Sequence, residues 1–314
     1  MQPTQFSSGD VIADRRADYA RMLAESGDPA AGAELMEQAL EMVPGWAPGW
    51  LRLGDYLEKA GFPEEAARAF ARVLAIAPED IFGAGLKLAL LGAAETPAKP
   101  PSRYVEALFD GYADRFEQSL VVKLGYSVPG NLAGLVRQVR GEAGPLSCAV
   151  DLGCGTGLMG VELRGMAERL EGFDLSAKML AKAGEKKLYD HLGRCDLSRE
   201  ADSSGLFSAS LAGGRADLVV AADVLIYMGD LSNAFTLAAR LAAPGALFAF
   251  SVEDTGTGNG FRLAPSLRYA HSQAYVRTVL AATGFETREM QPTTIRMDGG
   301  KPVLGILFVA IRAS

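Results

Sequence analysis

The sequence predicts two parts: an all-α helical-repeat region, then an α/β region with a seven-stranded, mostly parallel sheet whose last strand is antiparallel. Three observations predict this. Proline-closed helical segments recur at a 34-residue spacing, Pro44 to Pro78. The stretch AAETPAKPP at 93–101 then interrupts helix formation, because proline lacks the backbone donor. Beyond it, short apolar runs alternate with segments of helical period, the pattern of strands covered on both faces by helices. The 314 residues suffice for two domains. The expected divisions are repeats over 1–92, a linker over 93–101 and the sheet over 102–314.

Leu40 and Leu74 keep the same offset as the prolines. The later unit reads WLRLGDYLEKAGFPEEAARAFARVLAIAP. Trp50, Leu53 and Gly54 open its first helix, Ala66 and Phe70 lie on the second, and Pro78 closes it. Small residues suit the places where helices touch, and a large one fills the groove between them. The earlier unit, Val11–Pro44, keeps Ala20, Ala39 and Pro44 but has Arg16 where an aromatic is expected. Ile81–Gly92 reads as a capping helix. These residues resemble tetratricopeptide repeats. The resemblance implies stacked helix pairs and a possible protein partner bound along them; helical hairpins packed on the rest of the protein are the alternative.

After the linker, residues 102–126 read as two short helices and 129–141 as another, ended by Gly141. LSCAVDLG (146–153) is an apolar run of strand length that leads into the glycine cluster DLGCGTG. RLEGFD (169–174) reads as a strand. SAKMLAKAGEKK (176–187) reads as a helix with Ser176 at its N-cap. GRCDL (193–197) and ADLVVAAD (216–223) are strands, and 224–242 is a helix. GALFAFSVE (245–253) is a buried strand and 272–284 a late helix. Strands at 286–296 and 303–311 flank the turn MDGGK, so the last strand enters antiparallel.

Composition narrows the functions. The chain carries 31 basic and 38 acidic residues, a net charge of −7, which argues against a nucleic-acid partner. Three cysteines without a CxxC pair and only two histidines argue against a disulfide framework and against a metal site. The most apolar stretch, 81–94, is interrupted by Lys87 and is too short to span a bilayer. The first residues lack a secretory pattern. A cytoplasmic protein with no membrane association is expected.

In an open α/β sheet, ligands bind where strands end and helices begin. Asp151, Gly153, Gly155 and Gly157 stand at such a point, and Asp174 ends the next strand, 19 residues after Gly155. A carboxylate about 20 residues beyond a glycine turn suits ribose hydroxyls. Gly155–Gly160 fits GxGxxG, so a dinucleotide must be considered. Asp151 argues against it, because a carboxylate there would repel a pyrophosphate by several kcal/mol at an effective dielectric of ~20. A cofactor with an ammonium and a sulfonium has the opposite need; S-adenosylmethionine is that cofactor.

DLGCGTG, FDLSAKML, CDL, ADLVVAADVLIYMGD and APGALFAFSVE, in this order, resemble the segments of class I methyltransferases, across roughly 103–314. With the upstream repeats, the chain resembles bacterial tetratricopeptide-fused methyltransferases. The resemblance implies a Rossmann-like fold and S-adenosylmethionine-dependent methylation, expected here on a small molecule. Methylation of a protein recruited by the repeats and a cofactor-binding scaffold without turnover are the alternatives. It further implies that Asp151, Gly153, Cys154, Gly155 and Gly157 line the methionine part. Asp174 and Leu175 would hold the ribose, Asp196 and Leu197 would frame adenine, and Ala222 and Asp223 would face the sulfonium. Tyr112 would close over the site, within a leading segment, FDGYADRFE, that resembles a covering helix. His271 and Tyr227 are the candidate catalytic residues, with Glu253 and Tyr269 as further candidate bases.

Overall fold

A computed structural model describes residues 7–117, 125–256 and 258–313. The second helix expected within 102–126 lies largely outside the described residues. The chain divides into two units that part between Gly111 and Tyr112.

The first unit is helical: α1 (Val11–Glu25), α2 (Pro29–Met42), α3 (Ala47–Ala60), α4 (Pro63–Ile76), α5 (Ala84–Leu90) and α6 (Ser102–Tyr112). Sequence chemistry sets these ends. Asp10 accepts from the amides of Ile12 and Ala13 to cap α1, and Asp28 caps α2 ahead of Pro29. Gly61 ends α3 in the left-handed conformation. One core joins α1 to α5 through small residues such as Ala17, Ala20 and Ala33 and large ones such as Met36 and Phe70. The Phe70 ring lies on Gly54, where an added Cβ would stand 2.4 Å from it. Tyr104 of α6 lies against Gly83, which groups α6 with the helices rather than with the sheet as the linker suggested.

The second unit holds α7 (Val128–Arg140), β1 (Leu146–Leu152), α8 (Leu158–Leu163), β2 (Ala167–Asp174), α9 (Ala177–Glu185), β3 (His191–Arg194) and β4 (Ala216–Ala221). It continues with α10 (Ser232–Leu241), β5 (Ala242–Asp254), β6 (Phe261–Leu263), β7 (Tyr269–His271), α11 (Gln273–Ala282), β8 (Phe285–Asp298) and β9 (Lys301–Arg312). Strands run β3-β2-β1-β4-β5 in parallel. β9 joins β5 antiparallel, and β8 joins β9 antiparallel. These seven strands are the expected Rossmann-like sheet. Alternation along the strands feeds two cores. Val150, Leu152, Val219, Phe248, Phe250 and Phe308 face one side; Ala149, Leu218, Val220, Ala249 and Val309 face the other, with α7 and α8.

Three local readings are corrected. The pair β6–β7, three residues each, extends the carboxyl end of β5 and was not foreseen; such short strands leave no periodic signal. The helix expected over 224–242 is a 3-10 turn at Leu225–Tyr227 followed by α10, because Asp230 accepts from the Ser232 amide and restarts the chain there. The strand expected over 193–197 stops at Arg194, because the Asp196 amide turns to the Ser204 carbonyl.

Phe70→Ala is expected to destabilise the helical unit by about 3–5 kcal/mol, since it empties the groove over Gly54 without relieving a clash. Urea unfolding followed by circular dichroism measures this; a change below about 1 kcal/mol contradicts the packing account.

Candidate functional site

The glycine loop after β1 is tied to the end of β2. The amides of Gly153 and Cys154 donate to the Phe173 carbonyl, at 2.7 and 3.0 Å. The Gly155 amide donates to Asp174 Oδ2 at 2.9 Å, and the Ser176 amide to Oδ1 at 2.8 Å. Two backbone donors therefore fix the Asp174 carboxylate at the mouth of the loop. Gly153, Gly155 and Gly157 all have positive φ, at 68°, 54° and 89°. Gly153 also packs under Val224, where a Cβ would come within 2.4 Å. Gly155 is open by contrast: a Cβ there meets nothing nearer than 4.0 Å, the Gly153 carbonyl and the Phe116 ring. That gap is a cradle where a ligand can touch backbone.

Asp151 is 1% exposed, and Tyr189 donates its hydroxyl to Oδ2 at 2.7 Å. Its Oδ1 is buried without a hydrogen-bond partner among the described residues. Burial pushes its pKa up to about 7; the Tyr189 bond opposes this and the charge of Asp174 adds to it. Sequence reasoning missed Tyr189. Its ring fits only because Gly160 and Gly172 lack side chains: a Cβ at either would lie within 2.8 Å of the ring or its hydroxyl. Those two glycines were the available signal.

At the carboxyl end of β4, Asp223 holds a left-handed backbone, φ 57°, strained for a residue with a side chain. Its amide donates to Ser251 Oγ at 2.8 Å. Its Oδ2 stands 3.5 Å from Arg296 Nη1, and its Oδ1 is buried without a hydrogen-bond partner among the described residues. Arg296 also donates to Glu253 Oε1. Arg296 is 1% exposed. A bulge in β8 between Thr294 and Arg296 turns the adjacent Ile295 and Arg296 both inward. In the sequence Arg296 reads as an ordinary charge on a terminal strand, so only the bulge reveals it. Burial pushes the Asp223 pKa up to about 6 against the pull of Arg296 and Arg268. Tyr227 is buried and hydrogen-bonded to Arg268, with its own pKa raised by burial. For Arg268, burial works against the charge, but Tyr227, Asp223 and Glu253 outweigh it and raise the pKa.

Other expected site residues fall into place differently. Phe116, not Tyr112, is the aromatic beside Gly155; Tyr112 packs edge-on against it at 5.7 Å. Lys186 donates to Glu117 at 2.6 Å, which ties this leading segment to the end of α9. Cys154 is buried, and burial holds its thiol well above the usual range. Leu175 and Ala222 are half-buried, and Leu197 is buried. Asp196 accepts from the Ser198 amide and hydroxyl at 2.9 and 2.6 Å and lies 3.3 Å from Arg199 Nε, so it organises its own turn. His271 is 0% exposed, and its Nε2 faces the carbonyls of Met228 and Gly229 at 2.8 and 3.1 Å. Burial lowers its pKa to about 4 against those two bonds. It is a neutral imidazole tying β7 to the turn after β4, sealed from any acceptor. Tyr269 is likewise fully buried. Among the described residues no cluster of His, Cys, Asp and Glu could hold a metal, and no described helix is long and apolar enough to cross a membrane.

Residues 150–250 match the model of a methyltransferase domain family. That stretch lies within the second unit. The match spans β1 to β5 and so includes Asp151, the glycine loop, Asp174, Asp196 and Asp223. No curated protein matches the chain. Among solved structures, the cyclase SpnF is similar with a TM-score of 0.54 and 16% identity, over 69% of this chain and 98% of that one. A S-adenosylmethionine-dependent methyltransferase from Mesorhizobium loti is 23% identical over 59% of this chain and 100% of its own, with a TM-score of 0.45. Magnesium protoporphyrin IX methyltransferase from Synechocystis PCC 6803, solved with bound SAH, is 21% identical over 59% and 83%, with a TM-score of 0.44. At these identities the likeness is one of fold.

The raised Asp151 pKa carries a stability consequence. The folded protein holds this proton up to about pH 7, whereas the unfolded chain releases it near 3.8, the ordinary aspartate value. The folded state then binds more protons than the unfolded one, so this group's effect on stability worsens as pH rises through that window. Asp151→Asn keeps an acceptor for Tyr189 and removes the titration. The variant should gain on the native chain between about pH 4 and pH 7, as read from urea midpoints; equal pH slopes for both proteins contradict the account.

Proposed function

We propose that the chain is a S-adenosylmethionine-dependent methyltransferase that acts on a small molecule. The observation that carries this reading is the set of buried acids around the open Gly155 cradle, within the stretch that matches the methyltransferase domain. Asp151 Oδ1 and Asp223 Oδ1 are buried with no hydrogen-bond partner among the described residues, and buried acids of this kind suit a cationic ligand. The residues therefore fit a cofactor that carries an ammonium and a sulfonium. Bound there, it supplies a methyl group on a cationic sulfur.

In this reading Asp174 holds the ribose, pre-aimed by the Gly155 and Ser176 amides, with Leu175 beside it. Gly153, Cys154, Gly155 and Gly157 line the methionine part, and Asp151 and Ala222 complete that wall. Leu197 frames the adenine; Asp196 does so while keeping its turn. Phe116 and Tyr112 shield the loop, and the Glu117–Lys186 pair holds that cover in place. A cover of this kind favours a small acceptor. Alignment and exclusion of water are the main tasks. Where the acceptor carries a proton, Asp223 is the group placed to take it, with a pKa of about 6 near the working range. Tyr227, bonded to Arg268, orients rather than abstracts, and His271 is sealed away. Protein methylation, with a target held on the helical unit, is the competing reading. Labelled methyl donor added to cell extract separates the two, by label in small molecules or in protein.

Calorimetry on the purified protein should show S-adenosylmethionine or S-adenosylhomocysteine binding. Asp174→Ala should weaken that affinity on the order of 10–100-fold, the loss expected of hydrogen bonds to a charged group. Unchanged affinity sinks the ribose assignment. Methyl transfer should rise with pH through about 6 as Asp223 ionises. Asp223→Asn, which tolerates the left-handed backbone, should abolish that limb of the kcat/KM profile; a profile that keeps it assigns the proton transfer elsewhere.

A further inference from the structure

Among the described residues, two of the four non-glycine residues with left-handed backbone, Asp223 and Leu267, flank the same end of the sheet. Such strain persists only where the surrounding structure enforces it, and it marks functional positions more often than others. Leu267, φ 59°, belongs to the tight turn between β6 and β7, closed by the Ala264 amide donating to the Arg268 carbonyl at 2.8 Å and the Leu267 amide donating to the Ala264 carbonyl at 2.9 Å. The turn delivers Arg268 at the start of β7, beside the carboxyl end of β5, where Glu253 pairs with Ala270. From there its guanidinium reaches the Tyr227 hydroxyl beyond β4.

The charges at this end are shared unequally. Arg296 lies within ion-pair distance of both nearby acids, Asp223 and Glu253. Arg268 has no carboxylate within 4.0 Å among the described residues; its hydrogen-bond partner there is a neutral phenol. It is also only half-buried. A guanidinium carries five donors in a planar fork and is best matched by a carboxylate. Arg296, locked between two acids inside the protein, leaves Arg268 as the cation that an incoming anion can meet.

We propose that Arg268 recognises the acidic group of the methyl acceptor, which makes the acceptor a small carboxylate-bearing molecule. This rests on the methyltransferase reading above. Arg268 is then the residue that determines specificity, and Tyr227 steadies its fork. The carboxylate binds at the β6–β7 turn, and the remainder of the acceptor extends toward Asp223.

The test uses the full chain saturated with S-adenosylhomocysteine. Small aromatic and aliphatic carboxylates, and the same compounds as primary amides, are titrated by calorimetry against the native protein, Arg268→Met and Arg268→Lys. At least one carboxylate should bind the native protein tenfold or more tightly than its amide. Arg268→Met should abolish that preference, and Arg268→Lys should restore part of it, since a lysine keeps the charge but not the fork. S-adenosylhomocysteine affinity should be the same in all three proteins. A carboxylate preference below twofold across the panel, or one that survives in Arg268→Met, overturns the inference. Loss of S-adenosylhomocysteine affinity in Arg268→Met also overturns it, because Arg268 would then hold the cofactor's own carboxylate. Failure of the native protein to bind S-adenosylhomocysteine overturns the methyltransferase reading itself, and the inference with it.

Discussion

The bonds that join the glycine loop to the end of β2 govern the site. Three consecutive amides, from Gly153 to Gly155, turn away from their own strand and donate to Phe173 and Asp174. Only residues that accept positive φ can make that reversal in so few steps, which is why glycine occupies positions 153, 155 and 157. The bonds fix three things together. They set the path of the loop, the direction of the Asp174 carboxylate, and the open face at Gly155. A substitution that disturbs any of these amides would disturb all three.

A second constraint acts at the other side of the same end. Buried charge must be compensated, and the sheet does this unevenly. Glu253 and Asp223 are compensated by Arg296, which a bulge turns into the interior. Asp151 is compensated by a single phenol, Tyr189, and carries a raised pKa in consequence. Asp223 also rises, despite two arginines nearby. Acids left partly unsatisfied in this way are receptive to a cation, whereas Glu171, held by Arg169 and Arg215 in the same sheet, is fully committed to structure. The contrast separates the acids that keep an unpartnered oxygen among the described residues from those fully paired within the fold.

The likeness to the solved cyclase SpnF is one of fold. A fold does not fix a reaction, so the chemistry must come from the site. Asp151, Asp174 and Asp223 around the glycine loop lie within the stretch 150–250 that matches the methyltransferase domain model.

The sequence by itself determined the fold class, the order of the main helices and the seven longer strands, and the position of the glycine loop; the short pair β6–β7 left no signal in it. These rest on local rules: apolar period, proline and glycine placement, and a carboxylate at a fixed spacing from a turn. It placed Gly54 and Phe70 on the two helices of one unit, and the structure packs the Phe70 ring on Gly54. It did not determine which acids remain available. Asp196 is held by Ser198 and Arg199 in a turn with no periodic signature. His271 looked like a base until its ring met two carbonyls from the turn after β4, over 40 residues away in the chain. Tyr189, Arg268 and Arg296 carried no signal as single residues. Their roles come from a ring slotted between two glycines, a strained turn and a bulge. Tertiary structure alone decided these, because burial and partnership depend on what the rest of the chain brings alongside.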